Sequence, residues 1–363
     1  MSKIFKKITF VLPGMTTVPM GGVKIVNRLA ALIARQPYRV TLVYPINLEL
    51  GLVHKVKALI KSRLDKKHKV PGDLYYQPDP EVDALVVREV SEKYIPEADA
   101  IIAIGWQTAN AVDKLPASAG EKFYFLQSYE SYFSNPNKVL ETYNLKLQKI
   151  ALSKWILDEM IKLGQNSLGP IGNSINPDEF YRDEAIEKSN DLLMLYHPAK
   201  IKNAKFGLAV LEKLKKQHPK LKATIFSARA PIHKIPPWIH QVIRPDIEEL
   251  RNLYNQSKIF LSTSKWEGWG LPPMEAMACG CAVVAVKNKG VQEFMKNNEN
   301  GFLIPHRDKR SAIEKITKLL KNTDLREKFI EEGYKTVANY SETEVVSKFL
   351  KCINHKGQNV PKS

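Results

Sequence analysis

Short apolar runs alternating with amphipathic helical stretches constrain this chain more than any other feature. Residues 8–12 read as a strand, after which Gly21-Gly22 opens a helix carrying Val23, Val26, Leu29, Ala30 and Ile33. Residues 39–44, 100–104 and 123–127 read as further strands, the last two ending where polar or aromatic residues begin. A breaker-rich stretch over residues 169–178 then reads as a linker. Beyond it the alternation restarts, with strands over 192–196, 221–226, 258–261, 282–285 and 301–304 and a helix over 206–217. Strands alternating with helices argue for parallel sheets covered on both faces, with ligands beyond the carboxyl ends of the strands. The expected fold is therefore α/β, two doubly wound domains facing a central cleft. The expected bounds are an N-terminal domain over 1–172, a C-terminal domain over 173–340, and a helix over 341–363 packing back on the first.

The bulk numbers agree with two soluble domains. A chain of 363 residues with 44% apolar and 26% charged content can bury two cores. It lacks the run of about 18 apolar residues that a spanning helix needs. The basic start Met-Ser-Lys-Ile-Phe-Lys-Lys mimics a signal peptide, but the apolar stretch behind it is short and ends at Pro13-Gly14. Three cysteines form neither a disulfide framework nor a Cys-x-x-Cys pair, so a reducing cytoplasm is expected. The excess of 55 basic over 38 acidic residues, +17, suits anionic partners or plain solubility. Nucleic acid is not expected, since no zinc-finger, RNA-recognition or Arg-rich pattern is present. Residues 50–69 place Leu52, Val56, Leu59 and Ile60 at helical spacing among lysines. Such a helix can lie on an anionic membrane surface or turn its stripe to the domain's own core.

The chemistry concentrates in Glu267-Gly-Trp-Gly-Leu-Pro-Pro-Met-Glu275, which follows the apolar run Ile259-Phe-Leu-Ser. That order reads as strand, glycine loop, then a helix opened by Pro272-Pro273. The helix N-terminus suits an anion. Glu267 on the loop and Glu275, expected in the first helical turn, would accept hydrogen bonds from sugar hydroxyls. A nucleotide-sugar combines phosphate, ribose and hexose in one molecule. The second glycine pair, Gly21-Gly22, would let backbone approach a phosphate closely.

Together these residues resemble the retaining GT-B glycosyltransferases with a Glu-x7-Glu motif, the glycosyltransferase family 4-like group. Besides the Glu-bearing loop, Ile171-Gly-Asn-Ser-Ile-Asn-Pro-Asp-Glu-Phe180 is similar to the family's linker and Asn300-Gly-Phe-Leu-Ile to its N-G-x-L stretch. Trp106-Gln-Thr-Ala109 and Phe125-Leu-Gln-Ser-Tyr-Glu-Ser-Tyr-Phe133 look like a polysaccharide rhamnosyltransferase subgroup. The resemblance implies two Rossmann-like domains and transfer of a hexose, or a deoxyhexose such as rhamnose, from a UDP-, TDP- or GDP-sugar. The acceptor would be a glycan or lipid-linked glycan in surface polysaccharide synthesis. The place would be the cytoplasm, at the inner face of the cytoplasmic membrane if residues 50–69 bind it.

The resemblance also implies residue roles. Glu275 would bind the ribose hydroxyls and Glu267 the donor hexose. Gly268, Trp269 and the backbone N–H groups of Gly270 and Leu271 would surround the diphosphate, with Gly21 and Gly22 approaching from the first domain. The family supplies an Arg and a Lys to the departing diphosphate. Here Lys205 is the best match to the Lys, with Lys200 five residues before it and Lys202 a third candidate. The Arg is missing, so His197 or Lys200 must substitute. Trp106, Gln127, Tyr129 and Glu130 are the acceptor-binding candidates. No Asp-x-Asp metal pair occurs, and no metal or other cofactor is expected. Without a first-domain nucleophile, front-face retention is expected, with a covalent route and inversion left open. The competing readings are a non-catalytic nucleotide-sugar-binding partner subunit and a GT-B sugar-nucleotide epimerase.

Overall fold

A computed structural model describes residues 6–48, 74–132 and 134–354 of the chain. The expected basic helix over 50–69 lies outside the described residues. The chain divides into two compact units, residues 1–173 with 343–363, and residues 174–342.

Among the described residues, the first unit carries seven strands: β1 (Lys7–Val11), β2 (Arg39–Pro45), β3 (Asp83–Val87), β4 (Ala100–Ile104), β5 (Glu121–Leu126), β6 (Gln148–Ala151) and β7 (Ser167–Leu168). They pair in parallel in the order β3-β2-β1-β4-β5-β6-β7. Central strands are apolar on both faces because helices cover both, so Ala100, Ile101, Ile102 and Ala103 are fully buried. Helix Gly21–Ala34 turns Val23, Val26, Leu29, Ala30, Ala31 and Ile33 inward. Helix Glu342–Asn354 also belongs to this unit through almost all its length. Its fully buried Phe349 packs on Phe10 of β1 and Phe125 of β5, with ring centroids 5.7 and 5.9 Å apart.

The second unit repeats the logic with β8 (Asn190–Leu195), β9 (Ala223–Ser227), β10 (Ile239–Ile243), β11 (Ser257–Ser262), β12 (Ala282–Val286) and β13 (Phe302–Ile304). Their order is β10-β9-β8-β11-β12-β13, again all parallel. Helix Ala204–Gln217 contributes Leu208, Leu211 and Leu214 to a core shared with Ile225, Ile259 and Val284. Gly207 of that helix admits close packing, since a Cβ there would strike Met194 and Thr263.

Two doubly wound parallel sheets are what the alternation predicts. Four strands escape that reading: β3, β6, β7 and β10. Strand β10 is an edge whose His240 and Gln241 face water, and β6 hides its pattern behind Lys149, a buried lysine whose ammonium reaches the Leu145 carbonyl. The remaining two are β3, at the other edge, and β7, with two residues.

Candidate active site

Each sheet reverses its strand order once, between β1 and β4 in the first unit and between β8 and β11 in the second. At such a reversal the loops leave in opposite directions and open a crevice beyond the carboxyl ends. The second unit's crevice holds Glu267 and a lysine. That lysine is Lys202: its ammonium donates to Glu267 Oε1 at 2.6 Å, with side-chain exposures of only 22% and 14%.

The local backbone explains why Lys202 makes this contact. Residues Lys200–Lys202 form one tight 3-10 turn, closed by Asn203 in the left-handed conformation at φ 57°. Thr263 Oγ1 donates to the Lys202 carbonyl at 2.7 Å, and the Lys265 N–H to the Ile201 carbonyl at 2.8 Å. The turn after β8 is thereby stitched to the loop after β11. Lys200 and Lys205 are both exposed, and Lys202 is the lysine on Glu267.

His197, just past β8, sits in the same electrostatic field. Burial holds its imidazole below the ordinary value, the Lys202 and Arg229 charges push it lower, and Glu267 opposes them. Arg229 is absent from the sequence-based candidates. It stands two residues past β9, and only the pairing of β9 with β8 brings it next to this strand end.

Helix Leu271–Ala278 follows, capped by Gly270 at φ 115°. A Cβ on Gly270 would meet Val291, Pro273 and Phe294. Pro272 and Pro273 carry no N–H, and the Met274 N–H bonds back to the Gly270 carbonyl at 3.3 Å. Leu271 is therefore the first-turn residue whose N–H remains for an anion. Glu275 stands one turn further along, and the expectation of a first-turn position is corrected. That displacement keeps the carboxylate away from the anion-favouring end. It is 5% exposed and accepts from the Tyr254 hydroxyl at 3.2 Å. Burial, and then the neighbouring Glu275, drive the Tyr254 phenol well above its usual value.

The loop bearing Glu267 rests on its neighbour. A Cβ on Gly290 would lie 2.5 Å from the Glu267 carbonyl oxygen and 2.7 Å from that of Trp269. Asn288 ties the two loops, donating to the Ser264 carbonyl at 2.9 Å and accepting from the Val291 N–H at 3.1 Å. The Trp269 indole stacks on Phe294 and meets Tyr340 edge-on, while its Nε1–H points to Met274 Sδ at 3.1 Å. With 4% of its surface exposed, the Trp269 side chain packs the unit's interior. Gly268 is partly buried beside it.

In the first unit the reversal brings Gly21-Gly22, Trp106, Gln127 and Glu130 to one edge. Gly21 is exposed, whereas Gly22 accepts from Gln127 Nε2 at 3.1 Å and has no room for a Cβ without moving that side chain. Glu130 Oε2 accepts from the Trp106 N–H at 2.9 Å and the Tyr124 hydroxyl at 3.3 Å. Burial raises its carboxyl to about 7. Tyr129 is buried among the rings of Tyr132, Tyr143 and Trp155. Trp106 Nε1 and Gln107 Oε1 are buried without a hydrogen-bond partner among the described residues. Gln107, part of the Trp106-Gln-Thr-Ala109 stretch but not among the acceptor-binding candidates, thus joins the polar groups at this edge. Among the described residues, no group of three or more His, Cys, Asp or Glu gathers as a metal site, and no helix is long and apolar enough to cross a membrane.

Comparison with known proteins fits this geometry. Residues 177–336 match the family of glycosyl transferases group 1. The chain is 25% identical over 186 residues to a poly(glycerol-phosphate) alpha-glucosyltransferase of Bacillus subtilis, covering 49% of this chain and 26% of that protein. It is 33% identical over 99 residues to a poly(ribitol-phosphate) alpha-N-acetylglucosaminyltransferase of Staphylococcus aureus, covering 27% and 20%. The chain spans less than half the length of these relatives. Among solved structures, TarM superposes with a TM-score of 0.72 at 13% identity, over 96% of this chain and 99% of that one. Anabaena HepE, in complex with UDP and glucose, gives 0.71 at 14% identity, over 95% and 98%. Residues 177–336 thus match the glycosyl transferases group 1 family, and the two parallel-sheet units share the GT-B kind of fold seen in these solved structures.

Proposed function

We propose that this protein is a glycosyltransferase of cell-surface polysaccharide synthesis, transferring a hexose or a deoxyhexose such as rhamnose from a nucleoside-diphosphate sugar to a glycan or lipid-linked acceptor. The observation that carries the reading is the Lys202–Glu267 pair at the strand-order reversal of the second sheet, in the same unit as Glu275 and the Leu271 N–H. Support comes from the group 1 match over the same residues and from relatives that glycosylate poly(glycerol-phosphate) and poly(ribitol-phosphate). The UDP and glucose bound by Anabaena HepE suggest the donor class.

Each group has a part that its chemistry suits. Glu275 accepts from the ribose hydroxyls, each charge-assisted bond contributing about 1.5–3 kcal/mol. Glu267 orients the donor hexose. Lys202 neutralises the departing diphosphate together with the N–H groups of Gly270 and Leu271, and lowers the barrier to its departure. This cationic set lets transfer proceed without a divalent metal, with retention at the reacting carbon. In the first unit, Trp106 Nε1 and Gln107 Oε1 offer one donor and one acceptor to an acceptor sugar, while Gln127 and Glu130 hold those loops in place. The enzyme works on the cytoplasmic side, with residues 50–69 touching the membrane surface.

The test is a panel of UDP-, TDP- and GDP-sugars presented with glycan acceptors to wild type and Glu275→Ala, with and without chelator. Release of one nucleoside diphosphate, insensitive to chelator and lost with Glu275→Ala, is expected. Binding without release would instead indicate the partner-subunit reading, and no binding at all would overturn the nucleotide-sugar assignment.

A further inference from the structure

The loop after β9 is held in an unusual way. The Tyr196 N–H donates to the Phe226 carbonyl at 2.8 Å, fastening the loop's start. The Tyr196 hydroxyl accepts from the N–H groups of Ile232 and His233, both at 3.1 Å, fastening its end. A hydroxyl has two lone pairs and one proton. With two N–H donors taken, its proton goes to His233 Nδ1, 2.5 Å away. Residues 227–231 therefore form an arch with both feet on one residue, once through its backbone and once through its side chain.

Tyr196 is fully buried, and this clamp is the evident use of its hydroxyl. Arg229 is the middle residue of the arch and is exposed. It forms no ion pair among the described residues, yet its charge reaches His197, the residue after Tyr196, together with those of Lys202 and Glu267. The arch after β9, the strand paired with β8, thus puts an exposed guanidinium, without an ion pair among the described residues, on the loop beside the strand end that leads to His197 and Lys202.

We propose that Arg229 is a donor-binding residue that contacts the diphosphate of the nucleotide-sugar, and that Tyr196, with His233, is the positioning residue that holds it there. This rests on the nucleotide-sugar reading above and adds to it a cation from a different strand than the one expected to supply it. A guanidinium can engage two phosphate oxygens at once, which neither His197 nor Lys200 can do. The proposal therefore also accounts for the missing arginine after β8.

The test titrates UDP, TDP, GDP and the matching monophosphates into wild type, Arg229→Ala, Tyr196→Phe, His233→Ala and the Arg229→Ala/Tyr196→Phe double variant. Arg229→Ala is expected to weaken the diphosphate about tenfold or more. The monophosphate should change about twofold or less, since one phosphate gives the fork little to span. Tyr196→Phe keeps the ring and removes only the clamp; it should weaken diphosphate binding severalfold when Arg229 is present and not at all when Arg229 is absent. His233→Ala, at a partly buried position, should follow the same pattern more weakly. Equal effects of Tyr196→Phe in both backgrounds would reduce the clamp to a structural role and overturn the positioning claim. Diphosphate binding that survives Arg229→Ala unchanged overturns the inference alone. A wild type that binds none of the three diphosphates overturns it together with the nucleotide-sugar reading.

Discussion

The crevices of the two sheets have the same topology and opposite chemistry. In the second unit a carboxylate meets an ammonium at 2.6 Å across the strand-order reversal. In the first, Glu130 meets a backbone N–H and a phenol among the described residues, and burial raises its carboxyl to about 7. A partly buried carboxyl stays ionised when a cation shares its site and tends to keep its proton when only neutral donors do. The fold supplies two equivalent places, and the side chains decide that one holds an ion pair and the other a buried carboxyl without a cation beside it among the described residues. On the proposed function, that division suits an anionic donor in one unit and an uncharged polyol in the other.

Removing the charged half should have the largest effect. Lys202→Met or Glu267→Gln is expected to lower nucleotide release about 10²–10³-fold, the loss typical of a group that stabilises developing charge. Turnover measured beside unfolding curves would separate this from mere destabilisation. Retention of wild-type turnover by both variants would erase the contrast.

The neutral half makes a pH prediction. Because the folded carboxyl of Glu130 titrates near 7 rather than 4.5, the folded protein holds a proton that the unfolded chain has released. Its contribution is fully present below the unfolded value and is lost as pH rises through the folded one, in total about 3 kcal/mol. Urea unfolding at pH 5 and pH 8 should show wild type losing more stability over that interval than Glu130→Gln, which mimics the protonated acid. Parallel losses in the two proteins would mean that Glu130 is ionised throughout.

Glycines sharpen the comparison further. Gly290→Ala drives a methyl into the backbone carbonyls of Glu267 and Trp269, and backbone cannot swing aside. A loss of about 1–3 kcal/mol is expected, with a larger fall in donor affinity as the Glu267 loop is displaced. Gly22→Ala meets only the end of the Gln127 side chain. That end can rotate, giving up one hydrogen bond of about 1 kcal/mol. Alanine returns roughly 1 kcal/mol in helix propensity, so thermal unfolding should scarcely move.

These cases also show what could be read from the sequence. The alternation reveals two parallel sheets because central strands must be apolar on both faces, and the Ala100–Ile104 strand has the expected bounds. Edge strands such as β10 lack that demand and went unread. At the site, Glu267 and Glu275 stand out by their spacing, but the choice among three lysines does not. It depends on a left-handed Asn203 and on the Thr263 hydroxyl, 61 residues from the carbonyl it bonds. Arg229 was missed for a related reason: its place follows from the pairing of β9 with β8, which spacing along the chain does not encode. For Trp269, an aromatic beside a glycine loop suggests a ligand cover, and only the rings of Phe294 and Tyr340 show that it is core.

Helix Glu342–Asn354 gives the two units different histories on the ribosome. The second unit is one unbroken stretch and is complete in sequence once residue 342 has been added. The first waits for Phe349, which closes over Phe10 and Phe125 only after the whole of the second has been synthesised. Of the two units, the one whose synthesis starts earlier is therefore the one completed later. A premature stop just after residue 342 would leave the second unit's sequence whole and strip the first of part of its core, a loss of about 3–5 kcal/mol from the missing phenylalanine alone.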